Sequence, residues 1–492
     1  MSARLGDATL SLLAPGVVTP AYRRSAVTPG IVHLGVGAFH RAHQAVFVDD
    51  CLNRGEHEWG IVAVSLRSPE TRDALKPQDC LYTLIQRDGS GDRLRAIGSL
   101  LDVVVAPESP EQVLRHLADP RIRIVTLTIT EKGYTANLAT RTVLWDHPDI
   151  QHDLENPGRP RTALGYLTEG LKRRRDRGIA PFTVLSCDNL PSNGRTLKAL
   201  LVQFAGNGDR LLANHIEQQV AFPSSMVDRI VPATTDDDRA QAASRLGAED
   251  AWPVVAEPFS QWVIEDHFPE GRPGLEASGM EFVTDVEPYE HMKLRLLNGA
   301  HTTIAAIGQS AGLATVADVF GEPVAQRFIS AYWKEVSATL DATVDAVGYC
   351  ERLAQRFLNP ALRHRTAQIA MDSSQKLPQR ILAPLAELTD ARKPAGAVAF
   401  AVAIWMRSCL GVNENGVANS VSDPALAAWR RDQDLSALSA AEIVDAFLGL
   451  SSVFDARWRE RTEALDEITS ALEQINRVGT LSAIAGAFPE KT

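Results

Sequence analysis

The sequence predicts an α/β chain in two parts: a doubly wound, parallel-sheet domain over residues 1–286 and a mainly α-helical domain over residues 287–492. Three observations carry this reading. Short β-branched runs alternate with helical patterns through the first part. One of those runs leads directly into a Gly-x-Gly turn followed by a helical pattern. After Pro288 the strand signals fade and alanine-rich helical patterns take over.

The expected strands are Ile31–Val36, Gly60–Leu66, Ile122–Ile129, Phe182–Ser186 and Val254–Ala256, with a later one at Met280–Val286. Several are continuously apolar, as parallel strands covered on both faces must be. Between them, Ser109-Pro110-Glu111-Gln112 has the spacing of a capping box with proline at the first helical position, and Ala163–Arg175 has helical periodicity with a basic last turn. The acidic run Asp236–Asp238 reads as a solvated helix start, and His267–Ser278, rich in Gly and Pro, as a loop. In the second part, helical patterns run through Tyr289–Gly312, Glu322–Val347, Ala395–Arg407 and Ala440–Ala485.

Composition narrows the function. Fifty Lys+Arg against 61 Asp+Glu give a net charge of −11, with 45% hydrophobic residues. That balance suits a globular enzyme and argues against a nucleic-acid binder, which needs a basic footprint. It leaves room for an anionic small substrate held by a local cluster of cations. The five cysteines are scattered, with no CxxC pair, so a reducing compartment is expected rather than a disulfide framework. The first residues lack the continuous apolar core of a secretory signal, and the most apolar stretch, Ala395–Met406, is too short to span a bilayer. A cytoplasmic protein with no membrane partner is expected, as a monomer or weak oligomer.

Four stretches could carry chemistry. Gly35-Val36-Gly37-Ala38-Phe39, between a strand and a helix, lets backbone approach a pyrophosphate, although His40 stands where the usual third glycine would be. His40 and His43 share a helix face but lack further ligands nearby, so support of the phosphate loop is preferred to a metal site. Glu70 is the acid available for ribose hydroxyls, thirty-five residues past Gly35 where about 20 is usual. Arg67 and Arg72 flank it and suit a 2′-phosphate instead, so both NAD and NADP stay open.

The densest cluster is Tyr289–His301. At about 100° per residue, Lys293, Asn298 and His301 fall within an arc of about 140° on a helix. A desolvated lysine can serve as general base, an amide can stabilise an alkoxide and a histidine can orient a hydroxyl. The same spacing also suits an amphipathic helix with Lys293 and Arg295 in water. Tyr289 and Lys293 have the Tyr-x-x-x-Lys spacing of short-chain dehydrogenases, but they lie far past the glycine turn in a chain about twice that family's size. Thr130-Glu131-Lys132-Gly133-Tyr134 and Ser186-Cys187-Asp188-Asn189 follow strands directly, where α/β enzymes gather ligand-binding groups.

Together these stretches resemble the polyol-specific long-chain dehydrogenase/reductase family, which includes mannitol 2-dehydrogenase and fructuronate reductase. The resemblance is carried by GVGAFHRAHQA (35–45), TLTITEKGY (126–134), SCDNLPSNG (186–194), FPSSMVDRIVP (222–232), AEPFSQWVIED (256–266), KLRLLNGAH (293–301) and LRHRTAQIAMDSSQKLPQR (362–380). It implies a zinc-independent, NAD(P)-dependent enzyme with a Rossmann-type first domain, a helical second domain and an active site in the cleft between them. By the same resemblance Lys293 matches the general base, and Asn189 and Asn298 the amides that hold the substrate oxygen. His301 matches a substrate-orienting residue, Glu290 a carboxylate that assists proton movement, and Asp228 and Lys376 substrate-pocket positions. Glu70 falls at the acidic ribose position, which favours NAD, and Glu131 lies in the matched TLTITEKGY motif. The implied chemistry is reversible hydride transfer at C2 of an open-chain six-carbon sugar acid or polyol.

One departure bears on the substrate. The mannitol branch carries a polyol-contacting arginine eight residues before Lys376, where this chain has Gln368. The surrounding segment resembles the fructuronate reductase branch. A carboxylate-bearing substrate needs a cation, ideally a bidentate arginine, and Arg363, Arg365 and Arg380 are the candidates. D-mannonate/D-fructuronate is therefore expected ahead of D-mannitol/D-fructose or another polyol.

Overall fold

The computed structural model describes residues 3–362, 364–418, 422–431, 435 and 438–490. The chain divides into two compact units, Met1–Glu287 and Pro288–Thr492.

Unit 1 is built on five parallel strands: β1 (Pro29–Leu34), β2 (Gly60–Ser65), β3 (Leu100–Val105), β4 (Ile124–Leu127) and β5 (Thr183–Ser186), in the order β3-β2-β1-β4-β5. Alternation along the strands divides their side chains between two cores. Val32, Leu34, Val62, Val64, Val125 and Leu127 enter one cluster, and Ile31, Ile61, Ala63 and Ile124 enter the other. Burial on both faces is why these strands read as unbroken apolar runs. The order reverses at β1, between β2 and β4, so the crevice at its carboxyl end is the place where such sheets bind ligands.

The expected strands appear with ends shifted by at most a few residues, but besides the two-residue pair Ala136–Asn137/Thr142–Val143 five others did not stand out in the sequence. They are β3, the hairpin Tyr82–Asp88/Gly91–Ile97, Ser225–Asp228 and Gln261–Glu265. β3 lies at the sheet edge, and its polar Asp102, paired with Lys76 at 3.0 Å, interrupts the apolar run. Helix Pro110–Leu117 forms as expected, yet Ser109 makes no side-chain cap. Thr235, by contrast, closes a full capping box with Asp238 at the start of helix Asp236–Leu246.

Unit 2 is helical, and its core is organised around helix Gly396–Ser408. Every side chain from Ala397 to Met406 is buried there, between helices Gly299–Ala311 and Thr462–Val478. Two expected helices are divided. Glu322–Val347 becomes Pro323–Ser337 and Ala346–Phe357, and Ala440–Ala485 becomes Ala440–Leu448, Thr462–Val478 and Thr480–Ala487 with a short 3₁₀ turn before the second. Among the described residues no helix is long and apolar enough to cross a membrane.

Candidate active site

In unit 1 a cavity of about 990 Å³ opens at the strand ends and takes in Gly35, Gly37, Ser65, Arg67, Thr128 and Lys132. Gly35 has φ +94°, and a Cβ there would lie 2.3 Å from the Thr128 carbonyl oxygen, so only glycine makes this turn. A Cβ on Gly37 would meet nothing nearer than 3.9 Å, so this glycine leaves the backbone approachable. Gly37 caps helix Ala38–Ala42, whose first N–H groups have no partner within the helix. A turn, an open backbone and a helix start suit a dinucleotide pyrophosphate.

The turn is braced from beneath. His33, fully buried in β1, bonds Thr126 Oγ1 at 2.7 Å through Nδ1 and Thr128 Oγ1 at 2.9 Å through Nε2. The Thr128 hydroxyl then donates to the Gly35 carbonyl at 2.9 Å. His40 stacks on His33 with ring centroids 3.4 Å apart. Burial holds the His33 imidazole down at about 3 and the His40 imidazole well below its ordinary value, so both are neutral near pH 7. His43 bonds the Gln261 carbonyl through Nε2 at 2.8 Å and stacks on Phe39. The histidine hydrogen-bonded to this brace is His33, which did not stand out in the sequence; His40 stacks on it, and His43 is tied to Gln261 instead.

The loops after β4 and β5 are joined by Asp188, which lies in the polar stretch singled out after β5 but whose partners the sequence did not specify. Its buried carboxylate accepts from Ile129 N at 3.1 Å, Thr130 N at 2.9 Å and the Tyr134 hydroxyl at 2.8 Å. Thr130 has φ +63°, a conformation that a β-branched residue holds only under restraint, and Asp188 supplies it. The available signal was position: a carboxylate directly after a buried strand.

The structure places the other unit 1 candidates as follows. Asn189 is exposed just after β5, and Asp228 is buried at the end of its strand. Ala38 and Phe39 occupy the helix after the glycine turn, outside the cavity lining. Glu131 is exposed in the turn Thr130–Gly133 and, like Glu70, lies outside that lining. Glu70 is exposed on the first turn of helix Glu70–Leu75, where its carboxylate takes the Ser68 hydroxyl at 2.7 Å.

In unit 2, Lys293, Asn298 and His301 lie on one continuous helical run and are all buried, each 9% exposed. Arg295 is buried as well, held by Glu387 at 2.6 and 2.7 Å and by the Thr339 carbonyl. The water-facing alternative for Lys293 and Arg295 is therefore corrected. The run is not a plain α-helix: Lys293–Asn298 forms a π-helical turn before helix Gly299–Ala311. The i→i+5 pattern aligns Lys293 with Asn298 more closely than α-helical spacing allows.

Neighbouring side chains stabilise the widened turn. Tyr332 Oη donates to the Arg295 carbonyl at 3.1 Å and Trp333 Nε1 to the Leu296 carbonyl at 2.9 Å. These donors satisfy carbonyls in the altered ladder. A Cβ on Gly299 would lie 2.1 Å from Tyr332 Oη, so glycine lets the donor approach.

A second π turn, Pro378–Leu382, carries Arg380, whose Nη1 donates to Thr302 Oγ1 at 3.2 Å and to the Asn298 carbonyl at 3.5 Å. The Lys376 ammonium is held by the Ile369 carbonyl at 3.1 Å and by that of Met371. Arg365 and Gln368 are exposed, at and within the first turn of helix Thr366–Ala370. Glu290 is half-buried on Glu287–Met292, and Arg363 lies outside the described residues. His301 packs on Phe357 and edge-on to His364, a neighbour not singled out from the sequence; burial lowers the His364 pKa. Among the described residues no group of three or more His, Cys, Asp or Glu is placed to hold a metal.

Comparison with known proteins covers nearly the whole chain. Residues 29–277 match the family model of the mannitol dehydrogenase Rossmann domain, and residues 285–476 that of the mannitol dehydrogenase C-terminal domain. Mannitol 2-dehydrogenase of Pyrenophora tritici-repentis is 41% identical, over 98% of this chain and 85% of its own. D-mannonate oxidoreductase of Escherichia coli is 40% identical, over 95% and 98%. The solved Pseudomonas fluorescens mannitol 2-dehydrogenase, a ternary complex with NAD and D-mannitol, is 36% identical with a TM-score of 0.85, over 99% of this chain and 100% of that one.

Proposed function

Because the chain belongs to the mannitol dehydrogenase family, we propose that it is a zinc-independent, NAD-dependent dehydrogenase of an open-chain six-carbon sugar acid or polyol. The observation that carries the reading is the burial of Lys293, Asn298 and His301 on one helical run. Three unlike polar groups are seldom buried without a partner or a task. The glycine turn with its open backbone fits a dinucleotide, which when bound supplies the hydride acceptor or donor.

In the oxidising direction Lys293 takes the proton of the substrate hydroxyl. By the family resemblance, the Asn189 and Asn298 amides donate to the oxygen as negative charge develops on it, which lowers the barrier. His301 orients the hydroxyl, and Glu290 carries the proton between the lysine and solvent. In the reducing direction the lysine returns the proton. Asp228, Gln368 and Lys376 contact the remaining substrate hydroxyls.

Within that class we favour D-mannonate/D-fructuronate. Gln368 replaces the polyol-contacting arginine, and Arg380 sets a guanidinium beside the Asn298 turn, where a substrate carboxylate would find a cation. Arg365 is a second, more exposed candidate. D-mannitol/D-fructose is the alternative, and identity to the two named relatives is comparable. The test is kcat/KM for fructuronate against fructose with NADH. We expect fructuronate to lead by about tenfold or more, the weight of one charge-assisted contact. A clear preference for fructose would reverse the assignment. Activity should withstand a chelator; loss on chelation with recovery on adding zinc would contradict the lysine mechanism.

A further inference from the structure

Helix Ser373–Leu377, which carries Lys376, runs directly into the second π turn, Pro378–Leu382, and that turn packs against the first, Lys293–Asn298. π turns are rare and concentrate at functional sites, and these two meet at the Asn298–Gly299 peptide. The Arg380 guanidinium reaches the Asn298 carbonyl at 3.5 Å and Thr302 Oγ1 at 3.2 Å, and the Thr302 hydroxyl donates to the same carbonyl at 3.0 Å.

Tyr332, fully buried on helix Pro323–Ser337, joins the turns a second time. Its hydroxyl lies 3.1 Å from the Arg295 carbonyl and 3.4 Å from the Arg380 carbonyl, one acceptor in each turn. A hydroxyl has one hydrogen, so the two carbonyls share it. Burial pushes the phenol pKa up, which keeps that hydrogen in place. Gly299 supplies the room. A Cβ there would lie 2.1 Å from Tyr332 Oη and 3.0 Å from the Arg380 carbonyl oxygen, so the notch takes both groups because it is glycine. A phenylalanine would fill the same core; what the hydroxyl adds is the tie between the turns.

We infer that Tyr332 is a positioning residue for the reaction: its hydroxyl ties the turn bearing Lys293 and Asn298 to the turn bearing Arg380, and so fixes the base and the amide relative to the substrate-selecting guanidinium. The inference rests on the roles proposed above for Lys293 and Asn298, and adds a residue that acts through them. A displacement of about 1 Å at a reacting group can lower the rate by up to about 100-fold, even when its cause lies away from the chemistry.

Tyr332→Phe removes the hydroxyl and keeps the ring. Single-turnover hydride transfer would be measured at saturating NADH with whichever of fructuronate or fructose reacts faster. We expect the rate to fall about tenfold, with KM and NADH affinity within about threefold of the parent values. Phe454→Leu, a loss of buried volume beside Trp458 in the same unit, is the control: it should lower the melting temperature and leave the transfer rate, measured well below the melt, unchanged. An unchanged rate in Tyr332→Phe, an equal fall in Phe454→Leu, or a Tyr332→Phe protein that no longer folds would overturn the inference and leave the lysine reading standing. Absence of turnover of either ketose by the unsubstituted protein would overturn both.

Discussion

At the scale of single residues, Asp188 shows how much one carboxylate can hold in place. Asp188→Ala would strand the buried N–H group of Ile129, take the acceptor from the part-buried N–H of Thr130 and leave the Tyr134 hydroxyl with Ser186 alone. Each buried orphan costs roughly 1–3 kcal/mol. We expect a loss of about 3 kcal/mol by denaturant titration together with weakened NADH binding, because Thr130 lies in the cavity wall. A change under about 0.5 kcal/mol with unaltered binding would contradict this account. Gly35→Ala is more severe: the added methyl group meets the Thr128 carbonyl, and the backbone is already left-handed. NADH affinity should collapse in that variant, and a protein that binds normally would count against the loop's role. Residue types were legible in the sequence, including the glycine turn and the Lys-Asn-His set. Their partners were not, because Asp188 and Thr130 meet only once β4 and β5 lie side by side.

Elements show why spacing predicted more than it could specify. A 100° rotation per residue brought Lys293, Asn298 and His301 towards one side, yet the segment adopts a π turn whose carbonyls are capped by Tyr332 and Trp333. Those donors sit on another helix, so periodicity within the segment could not reveal them. Trp333→Phe should keep the packing but lose the donor, lowering kcat by several-fold with little change in NADH affinity, which stopped-flow and binding titrations would separate. An unchanged kcat would show that the π turn holds without it. The β1–β4 pair offers a pH test. His33 titrates at about 3 when folded against 6.5 when free, so between those values the unfolded chain binds more protons. Stability therefore falls as pH drops through that window, and His40 acts in the same direction. Melting between about pH 7.5 and 5.5 should show the decline, and a His33→Asn/His40→Asn variant should show a shallower one. An equal slope in both proteins would contradict the assignment.

For the whole molecule, alternation of strand and helix signals revealed a parallel-sheet part and a helical part, because burial on both sheet faces makes strands uniformly apolar. The edge strand β3 and most strands of the small sheets escaped, being short, polar-interrupted or half-exposed, whereas Val254–Ala256 and the strand within Met280–Val286 were expected. Net charge described the surface only: a −11 chain has a unit 1 cavity whose charged lining residues are mostly cations. The five cysteines are free thiols, four of them buried and Cys350 half-buried, and burial pushes Cys51, Cys80 and Cys350 up to about 12, 11 and 12. A thiol reagent should label the native protein slowly and the unfolded, unreduced protein at all five positions; fewer than five would reveal a disulfide. The central claim, that this chain is a dehydrogenase whose base is a buried lysine, is tested most directly by Lys293→Ala. Single-turnover hydride transfer should fall about 10²–10⁴-fold, the usual weight of a general base, while NADH still binds; transfer at a near-normal rate in that variant would contradict it.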